Sequence, residues 1–378
     1  INNQIKELQD QIEKVSKEID EALEKNDSCD LQITELKESI EKLKSQKLII
    51  LNEEAAKTNL MAFGYTNLIK GYRDPYIINS NGKKTYRSGV TFEQIRSLYI
   101  LDKNLRNAVM ASMLDLEEHI KEVAADIVAK SFGTHQDNYL NYRNYQNKTK
   151  KKHRFSLPGI LDTLKNTLNT DKEPILHYMQ SYGIVPPWIL FKSVYFSTIT
   201  NFIDLFKPSE KYQIANRLYS RNKLSLPPEA LIKLMMDTLY ICLDYRNIAA
   251  HGGRIYNYNS NRRLRLNEIF GNADDHNLNG FSTLLFLLNL FSYKSPLDHL
   301  ESSLQAEINR HCHSFPQDAT YLGQIMNVDI IPTCIVYISE KSNKYHLNPH
   351  CSGIKNVEKI PLDDIKLKNY VPCKRCAK

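Results

Sequence analysis

Near the end of the chain, His346 and Cys351 are followed, after one intervening segment, by Cys373-Lys374-Arg375-Cys376. Two thiols in a Cys-x-x-Cys turn bind a single ion at about 2.3 Å without straining the backbone, and a distant His/Cys pair completes a tetrahedron. The other chemistry open to such a turn is dithiol redox cycling, which the presence of a His/Cys partner pair disfavours. The seven cysteines are an odd number scattered along the chain, which also argues for metal ligation over a disulfide framework.

A second group of reactive side chains sits at Asp244-Tyr245-Arg246-Asn247-Ile248-Ala249-Ala250-His251-Gly252-Gly253. With 15 arginines and 11 histidines, an Arg followed four to six positions later by a His is expected roughly once by chance. On spacing alone the pair reads as a capping histidine and a surface arginine. Tyr240, Leu243, Asn247 and Ala250 recur at helical spacing, so Arg246 and His251 fall in the last turns of a buried helix that a double glycine stops.

The elements that must hold these groups are mostly helices. Helical patterns occur at Phe92 to Lys130, Pro158 to Leu168, Glu173 to Tyr182, Pro187 to Phe206, Ser209 to Tyr219, Pro228 to His251, Gly280 to Ser292 and Pro296 to Cys312. Pro158, Pro187, Pro228 and Pro296 stand where a first helical turn tolerates proline. Ile203, Phe206 and the single Trp188 read as core. A β-branched run from Ile330 to Ile338 reads as a strand before a turn at Lys341-Ser342-Asn343-Lys344. The cysteine cluster therefore belongs to a small α+β module.

From Ile1 to about Ile50 the residues Ile5, Leu8, Ile12, Val15, Ile19, Ala22, Ile33, Leu36, Ile40 and Leu43 alternate four and three apart, the seam of a coiled coil. Its phase suits one continuous helix of about 75 Å. The same positions mirror each other about Asp27 and Ser28, which suits an antiparallel hairpin turning at Asn26-Asp27-Ser28. Either form implies oligomerisation or partner docking. The organisation expected is a coiled-coil segment over 1–52, a helical domain over 53–325 and a metal module over 326–378.

The 378 residues, 43.8 kDa, exceed one ordinary core. An apolar content of 42% excludes a disordered chain, and the scarcity of Gly (13) and Pro (14) favours a mainly α class over a sandwich or barrel. The longest apolar stretch, Phe281 to Phe291, is shorter than the roughly 20 residues of a membrane span. No basic leader or small-residue cleavage site precedes the charged heptads, so a cytoplasmic location without membrane contact is expected. The net charge of +7 permits a polyanionic partner.

Two resemblances sharpen these readings. Lys344-Tyr345-His346 through Cys351-Ser352-Gly353, then Tyr370-Val371-Pro372-Cys373-Lys374-Arg375-Cys376, resembles the small zinc module of the adaptive-response DNA-repair protein. It implies one structural Zn²⁺ held by His346, Cys351, Cys373 and Cys376, with His350 the alternative to His346. No further thiol is placed to accept an alkyl group. A closed four-ligand site leaves no position for water, so this zinc stabilises rather than catalyses. Lys355, Lys359, Lys366, Lys368, Lys374 and Arg375 make the module basic, which suits nucleic acid or simply a solvated surface.

Phe92-Glu93-Gln94-Ile95, Leu98-Tyr99, Leu101-Asp102, Leu105-Arg106, Glu117 to Ile120, Pro186-Pro187-Trp188 and Arg246-Asn247 through Ala250-His251 together resemble the Abi-like (abortive infection) family over about 200 residues. The resemblance implies a HEPN-type helical bundle with ribonuclease activity, and Arg246-Asn247-Ile248-Ala249-Ala250-His251 matches the family's Arg-Asn-x-x-x-His motif. RNA supplies its own 2′-hydroxyl nucleophile, so no metal is required for catalysis. His251 would move protons, Arg246 would hold the phosphate through its fork, and Asn247 would orient one of them. In-line cleavage needs two proton-transfer groups, and the family answer is a homodimer joining two such motifs.

RNA is then the expected partner of a phage-defence or toxin-antitoxin endoribonuclease, with an antitoxin RNA or protein as a second candidate partner. Lys150, Lys151, Lys152 and Arg154, and the run from Arg262 and Arg263 preceded by Tyr256 and Tyr258, are the expected phosphate contacts and stacking groups. The alternative is a non-catalytic RNA-binding or partner-sensing defence protein on the same fold.

Overall fold

The computed structural model describes residues 14, 17, 34–80, 83–147, 155–219, 224–262, 264, 280–330, 335–339, 342–351, 354–362 and 369–377. Most of the coiled-coil seam, including the expected turn at Asn26-Asp27-Ser28, lies outside these residues, as do Lys150, Lys151, Lys152, Arg154 and Arg263. The chain is mainly helical with a small C-terminal sheet, and it divides into two compact units, Ile1–Ile100 and Leu101–Lys378.

In the first unit, helix α1 covers 34–45 and buries Ile40 and Leu43, the last two residues of the seam pattern. Helix α2 (Glu53–Phe63) starts at Asn52, whose side chain accepts the Ala55 N–H, a favourable N-cap. Glu93 accepts the Leu51 and Asn52 N–H groups, joining this start to the beginning of α3 (Phe92–Phe132). A hairpin, β1 (Ile77–Ser80) with β2 (Lys83–Tyr86), follows a π-helical turn. Helix α2 and the hairpin carry too few periodic apolar residues to stand out in the sequence. Tyr99 packs against Phe63 and Tyr72, closing this small aromatic core.

In the second unit the 41-residue α3 supplies the longest buried stripe: Leu101, Leu105, Val109, Met113, Leu116, Ile120, Ala124 and Val128 are inaccessible or nearly so. Their three-to-four spacing is the apolar face of a helix turned to a core. A short α4 (Gln136–Tyr139) lies in the Asn/Tyr-rich connection, followed by α5 (Leu157–Leu168) and α6 (Ile175–Tyr182). The helix expected from Pro187 to Phe206 is broken. It forms α7 (Pro187–Leu190), a 3₁₀ turn and α8 (Phe196–Asp204), with Val194 and Tyr195 extended between them and the Val194 carbonyl bound by Lys121 Nζ at 2.6 Å. Trp188, expected in the core, is 36% exposed, whereas Ile203 and Phe206 are fully buried.

Helices α9 (Pro208–Leu218) and α8 pack on α10 (Pro228–Ala250). Tyr219 stacks on Phe291 with ring planes 3° apart and donates to Thr238 on α10, joining α9 to the end of α11 (Phe281–Leu290). Helices α12 (Ser295–Ser314) and α13 (Ala319–Met326) complete the helical part. Among the described residues no helix is long and apolar enough to cross a membrane.

The C-terminal sheet has the order β5-β3-β4-β6, from β3 (Ile335–Ser339), β4 (Ser342–His346), β5 (Val357–Pro361) and β6 (Val371–Pro372). Strand β3 is antiparallel to β4 and β5, while β6 runs parallel to β4. Val336, Ile338 and Ile360 form its apolar face. Ser342, Asn343 and Lys344, expected in a turn, belong to β4, whose antiparallel pairing with β3 already begins at Ser342 opposite Ser339.

Candidate functional site

Helix α10 turns Leu231, Met235, Leu239, Cys242, Tyr245 and Ala249 into the core, a stripe in near-perfect helical phase. That phase leaves Asn247 half-buried and Ala250 exposed, off the buried side. Arg246 is half-buried; its Nε is shielded from solvent and has no hydrogen-bond partner among the described residues, while Nη1 lies 3.5 Å from Asn247 Oδ1. A buried guanidinium N–H without an acceptor is costly, and it is the kind of group that an incoming anion satisfies.

His251 is the C-cap of α10 and is exposed. Its backbone N–H donates to the Asn247 carbonyl at 3.0 Å. The helix ends in a Schellman arrangement: the Gly253 N–H reaches the Ile248 carbonyl at 2.9 Å and the Gly252 N–H the Ala249 carbonyl at 3.3 Å. Gly252 has φ of 72°, and a Cβ on Gly253 would stand 2.8 Å from Ile248 Cγ2. Both glycines are therefore required by the turn that sets His251 in place.

The loop beyond is anchored by α3. Asp102, fully buried, accepts the Ile255 and Tyr256 N–H groups, each at 2.8 Å. Arg106, one helical turn on, pairs with Asp102 at 3.8 Å and donates through Nη1 to the carbonyls of Gly252 at 2.7 Å and Gly253 at 3.1 Å. Asp102 and Arg106 had no role assigned from sequence. Their i,i+4 spacing on an otherwise apolar face was the available signal, and their partner 150 residues away was not.

Of the expected RNA contacts, Arg262 is described. Its Nε pairs with Asp244 Oδ2 at 3.1 Å and its guanidinium lies 4.4 Å from the centre of the Tyr240 ring, so it folds back on α10 before the Arg246–His251 end. Tyr256 is not a stacking group: it is 1% exposed, and burial pushes its phenol far above the ordinary range. Tyr258 packs edge-on against Tyr245 with ring centres 5.0 Å apart.

The structure gathers His346, Cys351, Cys373 and Cys376, with ligand atoms all within 4.8 Å of one another. Strand β4 ends at His346, Cys351 follows in the next turn, and β6 leads into the Cys373–Cys376 turn. Cys351 Sγ is 3.9 Å from Cys373 Sγ, too far for a disulfide, and Cys376 Sγ is 3.4 Å from His346 Nδ1. A tetrahedral zinc with ordinary bond lengths requires separations of about 3.8 and 3.6 Å for such pairs, so the donor set fits that ion. His350, the alternative ligand, is exposed and outside the cluster.

Burial, then the Lys344 charge, lowers the His346 pKa and favours the neutral, ligating imidazole. Burial, followed by the Cys376 and Cys373 thiols, pushes Cys351 up to about 12. Burial opposes the Cys373 thiolate too, but the N–H groups of Arg375 and Cys376 together with the Cys351 and Cys376 thiols outweigh it and hold that thiol low.

Fold and site together define a helical protein in which α10 ends in an Arg-Asn-x-x-x-His terminus whose following loop is held by α3, with a separate His/Cys₃ module that could hold a metal. A family profile described as Abi-like protein matches residues 58–257, which include Asp102, Arg106 and the whole of Arg246–His251. The chain belongs to the Abi-like protein family, and membership associates it with abortive infection, a form of phage defence. No curated protein and no solved structure matches the chain.

Proposed function

We propose that the protein is a HEPN-type endoribonuclease of a phage-defence or toxin-antitoxin system, cleaving RNA without a catalytic metal. The observation that carries this reading is the exposed imidazole of His251, five residues after Arg246, whose buried Nε has no acceptor among the described residues. The 2′-oxygen attacks the adjacent phosphorus while the bond to the 5′-oxygen breaks. One His251 takes the 2′-hydroxyl proton, and the imidazole of a second copy delivers a proton to the leaving 5′-oxygen. Arg246 holds the non-bridging oxygens as charge builds on them, and Asn247 orients the guanidinium. The products are a 2′,3′-cyclic phosphate and a 5′-hydroxyl; DNA, lacking the nucleophile, is not cut.

This chemistry calls for a homodimer acting in the cytoplasm. Lys150, Lys151, Lys152, Arg154 and Arg263 would add phosphate contacts. The C-terminal cluster would bind one structural Zn²⁺ through His346, Cys351, Cys373 and Cys376, and an antitoxin RNA or protein would hold the activity in check.

The test is incubation of the full-length protein and its His251→Ala variant with mixed RNA, with and without a chelator. Cleavage that persists in chelator and vanishes in the variant supports the reading. Equal cleavage by both proteins removes His251 from the mechanism, and RNA binding without cleavage by either leaves a binding protein.

A further inference from the structure

Beside the His/Cys₃ cluster lies a pocket of about 320 Å³ lined by Ser339, Ser342, Lys344, Ile354, Lys374 and Arg375 together with His346 and Cys373. Among the described residues its lining contains three cations, two hydroxyls and no carboxylate. Lys344 and Lys374 make no ion pair with the described residues, and both side chains belong to exposed positions at the pocket's rim. The cations come from two separate segments, β4 and the Cys373–Cys376 turn, which the parallel pairing of Lys344 with Val371 and Tyr345 with Pro372 brings side by side.

One explanation of this charge is local: a divalent ion with three thiolates and a neutral imidazole carries one net negative charge. Lys344 and Lys374 alone exceed that balance by one charge. At about 320 Å³ the pocket reaches the lower end of the roughly 300–1,000 Å³ range of small-ligand sites, which suits a nucleotide unit. Ile354 offers an apolar wall for sugar or base, and Lys344, Lys374 and Arg375 line the same pocket, able to meet a phosphate.

We propose that this pocket of the C-terminal module binds a phosphate-bearing unit of a nucleic-acid strand, as a site separate from Arg246 and His251. It holds whether or not those residues cleave RNA, so it is tested in the full-length His251→Ala protein, where the strand stays intact.

Binding of a fluorescent single-stranded RNA oligonucleotide is measured by anisotropy over a range of salt. Each cation lost from a strand contact lowers the slope of log affinity against log salt by about 0.7. Adding Lys344→Gln, Lys374→Gln and Arg375→Gln together should lower the slope by about 2. A control carrying Lys355→Gln and Lys359→Gln, exposed lysines outside the pocket lining, should leave it unchanged. Zinc is measured in each protein with a chromophoric chelator, and retention in the triple variant with loss of RNA slope supports the proposal.

An unchanged slope in the triple variant overturns it. So does an equal loss per charge in the control, which would indicate a diffuse basic surface. Loss of zinc in each of the three single variants would assign the cations to the thiolate charge. Displacement of the RNA from the parent, but not from the triple variant, by millimolar inorganic phosphate supports a phosphate site. Binding of inorganic phosphate with no competition from RNA would assign a free anion and overturn the strand.

Discussion

Asp102 on α3 accepts the backbone N–H of Tyr256 at 2.8 Å, across 154 positions of sequence, and shares the same oxygen with the N–H of Ile255. One buried carboxylate thereby fixes the strand of chain that leaves His251, while Arg106 holds the Gly252 and Gly253 carbonyls on its other side. The position of the exposed imidazole is thus decided by α3 as much as by its own helix.

Removing Asp102 leaves two buried N–H groups without that acceptor and Arg106 without its ion-pair partner. Asp102→Ala should cost about 3 kcal/mol in urea unfolding. Asp102→Asn keeps a carbonyl acceptor and should cost less, about 1–2 kcal/mol. Equal stability of the two variants would show that the loop is held by other contacts.

Gly253 faces a β-branched side chain that has little rotameric freedom. Gly253→Ala should destabilise by roughly 1–3 kcal/mol, and Gly252→Ala by about 1 kcal/mol from its left-handed backbone. Both should lower the rate of the proposed RNA cleavage beyond what unfolding explains, measured below the melting range.

His251→Ala should reduce the single-turnover rate of RNA cleavage by roughly 10²–10⁴-fold. Arg246→Lys should restore little of what Arg246→Ala loses, because an ammonium lacks the planar fork. Near-wild-type cleavage by Arg246→Lys would mean that a point charge suffices.

Zinc binding should tighten as pH rises. Cys351, with its thiol pushed up to about 12, must surrender a proton to ligate, so loading at neutral pH releases protons and acid opposes it. His346 works the other way: its lowered pKa keeps the neutral ligand form below the ordinary histidine range, so acid release should track the thiols rather than the imidazole. Competition titration against a chelator from pH 6 to 8 measures this. Stoichiometry should be one per chain, lost in Cys373→Ser.

The helical class was written in local patterns. The periodicity of α3 and α10 and the double glycine after His251 are short-range signals, and these two helices lie within a few residues of the spans read from sequence, whereas the span begun by Pro187 is broken. The Cys373–Cys376 turn and its distant His/Cys pair were legible too, because ligand chemistry restricts residue types more tightly than packing does.

What remained for the tertiary structure depended on contacts far apart in the chain. Both His346 and His350 lie near Cys351 in sequence, but only the end of β4, paired to β6, carries an imidazole to the thiols. The break at Val194 and Tyr195 follows from local extension and a lysine 73 positions away, which no helical period encodes. The anchoring of His251 by Asp102 and Arg106 likewise arises only when α3 meets the loop after α10. Hydrogen-bond geometry between remote segments is a property of the assembled core, whereas periodicity and turn chemistry are properties of the chain.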